Sequence, residues 1–253
     1  MKFSLPLLGK LSASALAALA LNACVISIDD EDVHSYAGED GNAPVIGETV
    51  TTAFFDNVTL EGPDNIVIVP GDTPSWMVSA NSHDVRNLRI SVEGDTLRIR
   101  RLRDRYYRNR SYDPANIIVT APVLRGFSVA GSGDATITEM TGESAAINIA
   151  GPGNVTVGTV NVSQLDVQIA GSGQAVMAGA AGFLNLSVAG PGDMRGADLN
   201  VSRAAVSIAG SGDAEFASDG EVDASVIGSG DITVRGSAIC NADRSGSGSI
   251  SCG

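Results

Sequence analysis

The chain has 253 residues, 43% of them hydrophobic and 4% aromatic, with 30 glycines and a formal charge of −13. That acidity argues against a nucleic-acid partner, because phosphate recognition needs clustered positive charge. The glycines follow no three-residue period, so the chain is not collagen-like, and abundant Val and Ile argue against disorder, which leaves a turn-rich β protein.

Residues 1–23 read as an export signal. Lys2 and Lys10 carry positive charge, Leu11 to Leu21 is apolar, and small Ala23 precedes Cys24. The apolar stretch falls short of the roughly 20 residues of a spanning helix. Leu21-Asn22-Ala23-Cys24 resembles a bacterial lipobox, although Asn22 is an atypical residue within that motif. The motif makes Cys24 the expected lipidation site and a membrane the expected partner through the lipid; a plain secretory cleavage is the alternative. The only two lysines lie in the signal, so the remainder carries 14 arginines against 29 acids, a balance of −15.

Residues 24–47 hold Cys24 and an acidic run containing Asp29, Asp30, Glu31, Asp32, Glu39 and Asp40, expected to form a solvated tether. Residues 48–125 contain short alternating runs, such as Asn65-Ile66-Val67-Ile68-Val69 and Leu97-Arg98-Ile99-Arg100, separated by turn signals such as Glu61-Gly62-Pro63-Asp64. They are expected to form a less regular β segment.

From 126 to 253 one motif recurs. Val129-Ala130-Gly131-Ser132-Gly133-Asp134 reappears with its first glycine at Gly151, Gly171, Gly190, Gly210 and Gly228, and in a worn copy at Gly246. Steps of 18 to 20 residues with small insertions and deletions mark stacked rungs. Ser or Pro followed by Gly suggests a type II turn, with the second glycine supplying positive φ. Asp134, Asn154, Gln174, Asp193, Asp213 and Asp231 follow the turns and are expected to cap backbone groups at the corner; a Ca²⁺ ladder is the sharper alternative. Apolar residues alternate on both flanks, as in the column Val129, Ile149, Ile169, Val188, Ile208 and Val226, and should point inward. The expected fold is all-β: a single-stranded parallel β-helix, or β-solenoid, with rungs of about 20 residues.

The Gly-Ser-Gly-Asp turns, together with Phe55-Asp56-Asn57-Val58 and Leu97-Arg98-Ile99, resemble the bacterial head GIN domain, a DUF2807-type family described as auto-transporter adhesins. The resemblance spans roughly residues 50–252. It implies a parallel β-helix in the cell envelope and carries no catalytic or binding residues. No segment like a C-terminal membrane barrel follows the repeats, so anchoring through Cys24 is expected to take its place.

Three groups of residues stand out as sites. Repeat alignment puts Cys240 in the inward column of Leu165, Leu184 and Val222, and Cys252 in that of Ile137, Val157, Phe216 and Val234, so a disulfide closing the end of the solenoid is expected in an oxidising compartment. Arg98, Arg100, Arg101, Arg103, Arg105, Arg108 and Arg110, with Tyr106 and Tyr107 among them, form a candidate patch for anionic glycans or phosphates; the bland alternative is a solvated hairpin paired with surrounding acids. No catalytic constellation, metal cluster or cofactor fingerprint is legible. The expected function is a noncatalytic cell-envelope module for adhesion or glycan binding, in an outer-membrane-anchored or periplasmic setting. A structural spacer that contacts other envelope proteins and a polysaccharide-active enzyme are the alternatives.

Overall fold

The computed structural model describes residues 44–50 by their main chain, and residues 53–81, 85, 87–102 and 113–253 in full apart from the Asn81 side chain. The signal, Cys24 and residues 103–112 lie outside the described residues.

The described elements are sixteen strands in one continuous hydrogen-bonded system. Five long strands make the regular solenoid: β9 (Ala135–Ala150), β10 (Val155–Ala170), β11 (Gln174–Gly190), β12 (Asp193–Gly210) and β13 (Ala214–Gly228). Each pairs in parallel with the next, as in Val157 beside Met177 and Leu165 beside Leu184. The expected parallel β-solenoid is therefore the fold.

Burial explains how one strand wraps a whole rung. In β10 the buried residues are Val155, Val157, Val160, Val162, Leu165, Val167 and Ile169. The step is two along a flat side and three at Val157/Val160 and Val162/Leu165, where the chain turns a corner while keeping apolar groups inward. Stacked copies give one continuous core.

The turns differ from expectation in one respect. Positive φ belongs to the first glycine of each motif, for example +123° at Gly151, and not to the second. The second glycine is required for a different reason: a Cβ on Gly153 would lie 2.4 Å from the carbonyl oxygen of Gly133 in the rung before. Gly153 N–H donates to Gly131 O at 3.0 Å, so the turns stack on their own backbones and leave no room for a side chain.

The N-terminal part has a threading that chain order conceals. β2 (Asn57–Glu61) and β3 (Asn65–Pro70) form one rung around the turn Gly62-Pro63-Asp64. β8 (Gly126–Ala130) and the start of β9 stack on one side of it. On its other side stack β6 (Thr96–Arg101) and β7 (Asn116–Ala121). The first rung in sequence is thus inserted between two later ones. Three antiparallel strands continue the outer edge: β5 (Leu88–Glu93) on β6, β4 (Ser75–Asn81) on β7, and β1 (Pro44–Val50) on β4. β1 begins at Pro44, inside the stretch assigned to the tether, because its backbone pairs with β4.

At the opposite end, β14 (Asp231–Arg235), β15 (Ile239–Gly246) and β16 (Ser249–Cys252) make the last rungs. Cys240 pairs in register with Val222 and Cys252 with Val234, and the two cysteines form a disulfide with Cα atoms 6.4 Å apart. The inward columns place them together, half-buried over the end of the core. Arg244 occupies the column position after Val226 and donates to Gly248 O at 2.9 Å. A cation in an Ile/Val column discourages a further rung, one of the ways that proteins protect sheet ends.

Candidate functional site

The corner ladder is built from side chains that accept from the backbone of the next rung. Asp134 Oδ1 takes the N–H of Asn154 at 3.1 Å, Asn154 Oδ1 that of Gln174 at 3.1 Å, Asp193 Oδ1 that of Asp213 at 3.1 Å and Asp213 Oδ1 that of Asp231 at 2.9 Å. Asp231 receives both the N–H and the hydroxyl of Ser249, at 2.8 and 2.7 Å. Gln174 breaks the chain: one methylene longer, its amide oxygen turns to Arg195 Nε and Nη2 at 3.0 and 3.2 Å. The ladder is a capping device, and an amide serves in it as well as a carboxylate.

The described arginines of the candidate patch, Arg98, Arg100 and Arg101, do not form one open surface. Arg98 on β6 donates to Glu61 at 2.9 Å and to Glu93 at 3.0 Å, and its guanidinium pKa is raised first by the Glu61 hydrogen bond. Arg100 buries its Nε without a hydrogen-bond partner among the described residues. Arg101 is 10% exposed, and its guanidinium grips Asp64, which is fully buried. Residues 102–115 connect β6 to β7, at the corner where other rungs carry a glycine turn. Arg103, Arg105, Tyr106, Tyr107, Arg108 and Arg110 lie outside the described residues.

Two further surface features stand out. One flat side displays the outward column Ser128, Asn148, Gln168, Ser187, Ser207 and Ser225, in register across the rungs. Beside it a shallow depression of about 530 Å³ is walled by Asn185 and Asp223. Around the corner, a groove of about 690 Å³ runs along the solenoid axis between Asn161 and Arg235.

The groove lies where rungs lose residues. Between Val157/Met177 and Val160/Gly179 the chain advances three positions in β10 and two in β11. Between Gly196/Phe216 and Asn200/Ala217 it advances four in β12 and one in β13. The only sequence signal of the groove was the shortening of the repeat to 19 and 18 residues, which locates neither the side nor the depth of the recess. Asp219 lies on its rim; the N–H and hydroxyl of Ser237, each at 2.9 Å, hold its carboxyl below the ordinary value. Arg235 pairs with Glu215 at 2.5 Å.

Fold and surface together define a parallel β-solenoid that displays ladders of small polar side chains. The chain belongs to the family described as "Putative auto-transporter adhesin, head GIN domain", whose model matches residues 54–238. Among solved structures it is similar to a protein of Bacteroides fragilis described as a "putative adhesin", with TM-score 0.74 and 22% identity over 83% of this chain and 96% of the other. A protein of Parabacteroides distasonis, described as a "putative lipid binding protein", has TM-score 0.66 and 26% identity over 85% and 98%. A protein of Parabacteroides merdae described as a "putative adhesin" has TM-score 0.64 and 15% identity over 82% and 95%. No curated protein matches the chain.

Proposed function

We propose that the chain is a noncatalytic adhesion module of the bacterial cell envelope, tethered through Cys24, that recognises surface glycans with the outward faces of its solenoid. The observation that carries this is the in-register column from Ser128 to Ser225. Hydroxyl and amide side chains both donate and accept, as sugar hydroxyls do. A parallel stack presents them about every 4.8 Å on a rigid lattice, which suits a repeating polymer bound through many weak contacts. The arginine-rich turn contributes less to this reading, since Arg98 and Arg101 are held by carboxylates.

Two measurements test it. The purified chain on an array of bacterial polysaccharides should retain a subset of them and leave them chemically unchanged; cleavage would make it an enzyme, and no retention would leave a spacer held by other envelope proteins. Intact mass and membrane fractionation of the native protein beside Cys24→Ala test the tether. An acyl mass increment on the native protein and loss of membrane association in the variant are expected, and an unmodified soluble native chain would remove the anchor from the proposal.

A further inference from the structure

The geometry points to the axial groove as a binding site for an extended, uncharged polysaccharide, gripped by the side-chain amides of Asn161 and Asn200. This rests on the glycan-binding reading above and adds a place, two contact residues and a ligand class.

Six asparagines lie in the repeats from 126 onward. Four are committed to side-chain hydrogen bonds: Asn148 to Ser128, Asn154 to Asp134, Asn185 to Asp166 and Asn241 to Asp223. Asn161 and Asn200 make none among the described residues, and both line the groove. They belong to one outward column, Asn161, Ala180, Asn200, Ala217, Arg235. Polar side chains therefore alternate with methyl groups, and the two amides stand two rungs apart, about 9.6 Å. That spacing is of the order of the two-sugar repeat of an extended β-linked chain, in which every second ring presents the same edge.

The floor supports the same ligand. Gly182 and Gly220 line the groove without side chains, so ligand rings would rest close to backbone there. Charge selects against acidic sugars: Arg235 is matched by Glu215, Asp219 makes no ion pair among the described residues, and the whole chain is acidic. A primary amide offers two donors and an acceptor, the complement of neighbouring sugar hydroxyls.

The test titrates the mature full-length chain with a neutral β-1,4-linked hexasaccharide and with a uronate hexasaccharide, by calorimetry and NMR. Asn161→Ala with Asn200→Ala should weaken the neutral ligand at least tenfold, each single change should weaken it less, and Ser172→Ala, at an exposed corner away from both the groove and the Ser128–Ser225 column, should leave it unchanged. Equal binding by wild type and the double variant would overturn the site while leaving glycan binding intact. Preference for the uronate would overturn the ligand class. Binding of neither ligand, together with an empty polysaccharide array, would defeat the functional reading itself. Asn161 and Asn200 each lie in an Asn-X-Ser triplet, so intact mass should equal that of the polypeptide and its N-terminal modification; a glycan mapped to either residue would make the groove a carrier and overturn the proposal.

Discussion

Asp64 and Arg101, 37 residues apart in sequence, form a buried ion pair that joins two stacked rungs at one corner. Arg101 Nη2 lies 2.5 Å and Nε 2.8 Å from the carboxylate, which also accepts the N–H of Ala115 at 2.8 Å. The pair thus ties the end of β6 to Ala115, just before β7.

Removing Asp64 takes the buried carboxylate from Arg101 and the acceptor from the Ala115 N–H. Asp64→Ala should destabilise the protein by about 3–5 kcal/mol, and the double change Asp64→Leu with Arg101→Met should recover much of that loss. Urea unfolding of the three variants checks it; equal stability of wild type and Asp64→Ala would show that the pair is solvated and dispensable.

A methyl group on the second turn glycine has nowhere to go. Gly153→Ala drives its Cβ against Gly133 O and should cost about 1–3 kcal/mol as an overpacked site. Ser172→Ala, at an exposed turn position, should fall within about 0.5 kcal/mol of wild type. Thermal denaturation of the two variants side by side makes the comparison.

The corner ladder distinguishes hydrogen bonding from charge. Asp213→Ala removes the acceptor of the Asp231 N–H and should cost about 1 kcal/mol, the usual loss for one such bond. Asp213→Asn should be nearly neutral, because Asn154 performs the same task in the same column. If both variants lose stability equally, charge and not capping is what the column supplies.

The Cys240–Cys252 bridge closes a short loop over the end of the core. Replacing both cysteines by serine should cost about 3 kcal/mol on the chain-entropy model. The last rungs should lose hydrogen-exchange protection before β9 to β12 do, since a solenoid opens from its ends. Thiol counting on denatured, unreduced protein should find neither cysteine free.

Asp219 makes the stability of the groove rim depend on pH. Ser237 lowers its folded-state pKa below the ordinary 3.8, so the folded state binds its proton less readily than the unfolded one. The stabilisation is complete above the ordinary value and disappears as pH falls through the lowered one. The stability difference between wild type and Asp219→Asn should be constant from pH 7 to about 4.5 and shrink below that; a difference independent of pH down to 2 would contradict the hydrogen-bonding account.

The sequence by itself determined the rung. Period-two apolar columns, a Gly-x-Gly corner and a near-constant spacing state locally which side of each residue meets its neighbours, and the register of Cys240 and Cys252 followed from counting columns. Which glycine takes positive φ was not legible, because the second glycine is demanded by the carbonyl of the rung before and not by its own turn. The tertiary structure alone decided three further matters. It inserted β2 and β3 between the later rungs β6–β7 and β8–β9, paired Asp64 with Arg101 and so withdrew one arginine from the candidate patch, and placed the shortened rungs together along one side, which opened the groove beside Asn161 and Asn200. Each depends on which rungs become neighbours, and stacking order is a property of contacts between distant segments that a local repeat does not encode.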